Sequence, residues 1–235
     1  AVVAYRLGPD GRPSGSPTII TQDSPGVPGS AERLDGFGSA MASSGRLLLV
    51  GVPGEDVGRR RDAGAVTVLS YQGSGRFTGT GITRATKGVP GTPRTRDALG
   101  TSVAIGDGYA AVGVPGQSSG RGAVQLFRIN GTRLVPGAAI SQSTRGVPGV
   151  SEAGDRFGAA VAMARPCAGK VGVVVGAPGE TLPRASSAGA GWVIPLARTS
   201  GCPARSYSED RALGAAARED ARIGAAVAVV RGSAP

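Results

Sequence analysis

The stretch GVPGSAERLDGFGSAMA at 26–42 recurs as GVPGTPRTRDALGTSVA at 88–104 and again as GVPGVSEAGDRFGAAVA at 146–162. In each copy a Gly-Val-Pro-Gly turn leads through a polar linker to an Asp, a hydrophobic-Gly pair and a run of small residues. Val27, Val89 and Val147 stand 62 and 58 residues apart. Self-similarity at such a period, with several short strands per copy, is the signature of a radial or stacked array.

Three further phrases lie between successive connectors. The first is LLLVGVPGE at 47–55, YAAVGVPGQ at 109–117 and VGVVVGAPGE at 171–180, short apolar runs halted by Pro-Gly, which read as buried strands. The second is GAVTVLSY at 64–71, GAVQLFRI at 122–129 and GAGWVIPL at 189–196, with the alternation and β-branched content of half-buried strands. A weaker fourth segment, GTGITR at 79–84 and GAAISQ at 137–142, precedes the next connector. Four short strands per copy predict an all-β chain of four-stranded antiparallel propeller blades. The predicted division is a half blade at 1–25, blades at 26–87, 88–145 and 146–210, and the start of another at 211–235. AVVAYRL at 1–7 matches a third strand, and REDARIGAAVAVV at 218–230 matches an opening strand. About three and a half blades are expected, too few to close a ring, so further polypeptide or another copy is expected to complete it. The Ala-rich stretch Ala212–Ala217 is the one place that admits a short helix.

Composition supports order rather than low complexity. The 41 glycines and 17 prolines recur in register as turn residues. The net charge is +10, yet only Lys87 and Lys170 are Lys and the remaining basic residues are Arg. Excess of Arg, Ala, Gly and Val fits GC-rich coding, and no aromatic-interleaved basic stripe or reader motif points to nucleic acid. No apolar run is long enough for a membrane-spanning helix.

Phe37-Gly38 with Gly51-Val52-Pro53-Gly54, and Phe157-Gly158 with Gly176-Ala177-Pro178-Gly179, resemble FG-GAP repeats, the blades of integrin-alpha-type propellers and of many secreted actinobacterial proteins. The middle copy, Leu99-Gly100 with Gly113-Val114-Pro115-Gly116, departs by one residue in each half. The resemblance covers nearly the whole chain. It implies a propeller, usually seven-bladed and extracellular, used for adhesion, ligand binding or as an accessory domain. Many such blades hold Ca²⁺ in an Asp-rich turn between the first two strands. Here those turns read ASSGRL (42–47), AIGDGYA (104–110) and MARPCAGKVG (163–172). Calcium needs six to eight oxygens, and Asp107 is the only carboxylate present, so no calcium or other cofactor is expected.

Asp35, Asp97 and Asp155 recur at one place in every copy, which predicts acceptors for backbone N–H groups ordering each connector. Phe37, Leu99, Phe157 and Ile223 read as wedges between blades. In a four-stranded meander the second-third loops and the inter-blade connectors share one face. Loops on a rigid scaffold are where binding sits, and the copies disagree there at Arg59, Arg60, Arg61, Arg94, Arg96, Glu180 and Arg184. Cys167 and Cys202 fall in neighbouring turns of one blade on the opposite face. A disulfide between them would close a 35-residue loop, stabilise by roughly 2–4 kcal/mol and favour an oxidising, extracytoplasmic setting.

An enzyme is disfavoured. The chain has no His, which removes the commonest general base and the Ser-His and Cys-His systems. The pairs Glu209/Asp210 and Glu219/Asp220 are adjacent in sequence and make poor acid–base dyads. The reading is a secreted, non-catalytic protein binding a cell-surface glycan or protein through its long-loop face. The alternatives are an accessory subunit of a larger secreted assembly, hydrolase-associated or lectin-bearing, and an enzyme whose catalytic residues lie outside this stretch.

Overall fold

In the computed structural model, residues 1–197, 201–210, 214 and 216–230 are described. Among these residues fourteen strands form four antiparallel sheets, each a simple meander. The first holds only β1 (Val2–Leu7) and β2 (Pro13–Ile20). The second runs through β3 (Met41–Ser44), β4 (Leu47–Val52), β5 (Ala65–Gly73) and β6 (Arg76–Ile82). The third runs through β7 (Val103–Gly106), β8 (Tyr109–Val114), β9 (Ala123–Asn130) and β10 (Arg133–Ile140). The fourth runs through β11 (Ala160–Cys167), β12 (Lys170–Ala177), β13 (Ala190–Pro195) and β14 (Arg205–Tyr207). The turn at 117–120 is not a helix in substance, because Ser118 and Ser119 are left-handed. Of the stretch Ala212–Ala217, residues 212, 213 and 215 lie outside the described residues, and the remaining three are not helical.

Each sheet packs on the next. One core lies between the first and second sheets around Val2, Ile20, Val50 and Leu69. A second lies between the second and third sheets around Leu49, Val66, Leu99 and Phe127. A third lies between the third and fourth around Phe157, Val175 and Trp192. Leu99 and Phe157 are fully buried, but Phe37 is only half-buried. Of the four expected wedges only Leu99 and Phe157 are enclosed: Phe37 packs against a sheet of two strands, and Ile223 is likewise only half-buried. Trp192 is buried, donates from Nε1 to the Pro148 carbonyl at 2.8 Å and meets Phe157 edge-on.

The paired Gly-rich phrases are explained by how closely successive sheets approach. The N–H of Gly38 donates to the carbonyl of Gly51, Gly100 to Gly113 and Gly158 to Gly176, within each copy. A Cβ on Gly51 would lie 2.0 Å from the carbonyl oxygen of Gly100 in the next copy, and one on Gly113 equally close to that of Gly158. No side chain fits between backbones so near, so both halves of the motif must be glycine. Parallel bridges Gly64–Leu99, Gly122–Phe157 and Gly189–Ile223 then stitch each sheet to the following connector.

The hairpin turns gather at one end of the sheets. Asp107 and Gly108 both have positive φ between paired Gly106 and Tyr109, which makes a tight two-residue hairpin turn. Cys167 and Cys202 form a disulfide at that end of the fourth sheet. The β4–β5, β8–β9 and β12–β13 loops and the connectors occupy the other end. No helix among the described residues is long and apolar enough to cross a membrane.

Candidate functional site

Each connector is anchored by its Asp. Asp35 Oδ2 accepts the N–H of Glu32 at 2.7 Å, Asp97 Oδ2 that of Arg94 at 2.9 Å, and Asp155 Oδ2 that of Glu152 at 2.5 Å. All three are buried. Their backbone carbonyls accept from Gly54, Gly116 and Gly179, the glycines of the Pro-Gly turns. A loop and a connector of neighbouring strands are thereby locked together.

A second polar pair sits beside each of these carboxylates, and its composition varies. Gln22 donates from Nε2 to Glu55 Oε2 at 2.6 Å, and Gln142 to Glu180 Oε2 at 2.7 Å. Between them in sequence, the corresponding position is Arg84, which instead pairs with Asp97 at 2.6 Å with both side chains buried. Gln117 stands there in place of the Glu. A Cβ on Gly91 would collide with the Arg84 guanidinium, so the second Gly of that connector makes room for the longer side chain.

Burial raises the pKa of Glu55 and pushes that of Glu180 up to about 7, with Asp35 and Asp155 respectively adding repulsion. The Asp155 carboxyl is raised by the same burial. The sequence places Glu180 on an exposed binding loop; the structure corrects this. Glu180 is turned inward and bonded to Gln142, because the Pro-Gly turn before it directs the side chain into the junction rather than to solvent.

The arginines behave differently. Arg59, Arg60 and Arg61 are exposed on the β4–β5 loop, whose tip is closed by a Val57–Arg60 bridge. Arg184 is exposed at the matching Leu182–Ala185 turn of the fourth sheet. Neither group lines the cleft found on this face. That cleft, about 640 Å³, lies between the second connector, the 115–120 turn and the third connector, and its charged rim is Arg94, Arg96 and Arg156. Arg61 supports it through its backbone, accepting the Arg96 N–H at 2.8 Å. Sequence reading missed Arg156 and the serines at 118 and 119. The signal available was that Arg156 follows its Asp where the other copies carry Gly36 and Ala98.

On the opposite end, Asp107 pairs with Arg165 of the fourth sheet, a contact between neighbouring hairpins. Among the described residues no three His, Cys, Asp or Glu side chains converge as metal ligands would. No protein-family model matches this chain, and no curated protein matches it.

Proposed function

We propose that the chain is a run of FG-GAP-type propeller blades, exported and non-catalytic, that captures a cell-surface glycan or protein through the face carrying its long loops. The observation that carries this reading is the construction of that face. Backbone bonds from Arg96 to Arg61, Ala98 to Asp62, Gly154 to Ser119 and Arg156 to Gly120 join loops and connectors of successive sheets. Exposed arginines on so rigid a frame keep fixed spacing, which is what a recognition surface requires. The Cys167–Cys202 bridge is compatible with an oxidising compartment. The non-catalytic reading rests on the lack of His and on the engagement of Glu180 within a junction. Binding of the labelled chain to intact cells tests the face directly. Arg59, Arg60 and Arg61 reversed to Glu should weaken capture, whereas Arg76→Glu and Arg133→Glu on the hairpin-turn end should not. The reverse pattern overturns the reading.

An accessory role in a larger assembly is favoured by one separate observation. Val3 and Ile19 are a cross-strand pair, 50% and 64% exposed. Thr67, Gln125 and Trp192, which hold the position of Val3 in the other sheets, are buried. A further sheet covering Val3 and Ile19 would complete the pattern. Sedimentation of the native protein at a fixed stoichiometry with another chain or copy, lost in Val3→Lys, supports it; a lone monomer unaffected by that substitution overturns it.

A further inference from the structure

The geometry points to an acidic oligosaccharide as the ligand of the Arg94–Arg96–Arg156 cleft, with its carboxylate held between Arg96 and Arg156. This rests on the loop-face reading above and narrows it to one site and one chemistry.

The first support is conformational. Arg96 and Arg156 have φ of 65° and 60°. At the same two positions relative to the connector Asp, the other copies carry Leu34 and Gly154 before it and Gly36 and Ala98 after it. Glycine enters the left-handed region without the steric cost that a Cβ imposes. The left-handed turn belongs to every copy, since Leu34 and Ala98 hold the same two positions with φ of 77° and 55°; it fixes where the two arginines leave the backbone. Both are also pinned: the Arg96 N–H donates to Arg61 and the Arg156 N–H to the Gly120 carbonyl at 2.7 Å. Their side chains leave from fixed points, so little ordering remains to be done on binding.

The second support is electrostatic. Among the described residues the ion pairs are Arg12–Asp10, Arg84–Asp97, Arg165–Asp107 and Arg218–Glu209, and none of the three rim arginines takes part. Asp97, the carboxylate in the cleft wall, is buried and already holds Arg84 and the Arg94 N–H. The rim thus presents three uncompensated guanidinium groups, whose forked donors match the two oxygens of a carboxylate. A net charge of +10 draws such ligands in.

The third support selects a sugar over an acidic peptide. Apart from the arginines, the walls are hydroxyls and small residues, with Thr95, Ser118 and Ser119 prominent. No aromatic or long aliphatic side chain lines the cleft, so it lacks the apolar anchor that protein partners use. Its volume of about 640 Å³ lies within the range of small-ligand sites, about 300–1,000 Å³. A sulfate ester offers a guanidinium the same oxygens as a uronate carboxylate, and the experiment separates the two.

Calorimetric titration at physiological salt would use oligogalacturonate, a heparin-derived fragment, a neutral maltooligosaccharide of equal length and polyglutamate. Arg96→Gly and Arg156→Gly are the variants, because they remove a guanidinium while relieving the backbone; thermal melting checks that both stay folded. Oligogalacturonate is expected to bind, and each variant to bind it about tenfold or more weakly, with an unchanged or higher Tm. Binding of the heparin fragment with the same losses sustains the site and assigns its anion as sulfate. Equal binding of the neutral sugar, preference for polyglutamate, or undiminished binding by folded variants overturns the inference. So does silence with both acidic glycans, and the loop-face reading then stands or falls by its own charge-reversal experiment on cells.

Discussion

The junction between the second and third sheets and the junction between the third and fourth share one backbone and use opposite electrostatics. In the former, Arg84 neutralises Asp97 and the neighbouring position is Gln117. In the latter, neutral Gln142 faces Glu180 while Asp155 lies close by, so two buried acids share the site with Arg121 acting on Asp155 only from a distance. The first-second junction, with Gln22, Asp35 and Glu55, follows the latter pattern. The same turn can evidently be held by an ion pair or by an amide and a proton-hungry carboxyl. The carboxyl of Glu180 makes the second solution sensitive to pH near neutrality.

The largest expected effect comes from breaking the charged junction. Asp97→Ala removes an N–H acceptor and strands a buried guanidinium, which costs about 3–5 kcal/mol. Asp35→Ala removes an acceptor without stranding a cation and should cost about 1–2 kcal/mol. Denaturant midpoints of the two variants measure the gap. Equal losses would mean that Arg84 finds solvent and that the two junction types are energetically alike.

The carboxyl junction is expected to respond to pH. Glu180 has a folded pKa of about 7, above the ordinary value of 4.5. Its contribution is therefore fully present below about pH 4.5 and is lost as pH rises through 7. Glu180→Gln imitates the protonated form, so it should stabilise the protein at pH 8 by up to about 3 kcal/mol and change little at pH 4.5. Melting curves at both values test this. A variant no more stable than the parent at pH 8 would show that the burial is relieved by water. Transplanting the pattern sharpens the comparison: Arg84→Gln with Gln117→Glu should be stabler at pH 5 than at pH 8, as the Glu180 junction is.

Much of this architecture was legible in the chain itself. The glycines, the Asp and the strand phrases recur because every sheet must approach its neighbour equally closely, and repetition exposes such constraints. The disulfide was legible because adjacent hairpin turns bring Cys167 and Cys202 together. Glu180 was misplaced for a different reason. Its partner Gln142 lies 38 residues away, and the link shows only when copies are compared: Gln, Arg and Gln at 22, 84 and 142 change together with Glu, Gln and Glu at 55, 117 and 180. Arg156 shows in the sequence only by comparison, as the one Arg that follows the connector Asp where the other copies carry Gly36 and Ala98.

A fourth junction tests whether the carboxylate must come from the connector at all. In the last copy the Asp position is Ala221, and no side chain there can accept the N–H three residues earlier. That N–H, on Arg218, is instead taken by Glu209 Oε2 at 2.9 Å, and Arg218 Nε returns a bond to Oε1 at 2.8 Å. Glu209 stands where Gln22, Arg84 and Gln142 stand in the other copies, so the acceptor has moved to the opposite wall. Those bonds, the Arg218 N–H foremost, hold the Glu209 carboxyl below its ordinary range. Its contribution is therefore present above about pH 4.5 and lost as pH falls further, the reverse of Glu180. Glu209→Ala should give the smallest loss of the set, because the pair lies at the rim, and its effect should be read locally as faster exchange of the Arg218 amide. Ala221→Asp, added to Glu209→Ala, should restore protection by returning the acceptor to the position of Asp35, Asp97 and Asp155. If exchange stays fast in the double variant, the four junctions do not share one backbone, and the equivalence drawn between Glu209 and the connector aspartates fails.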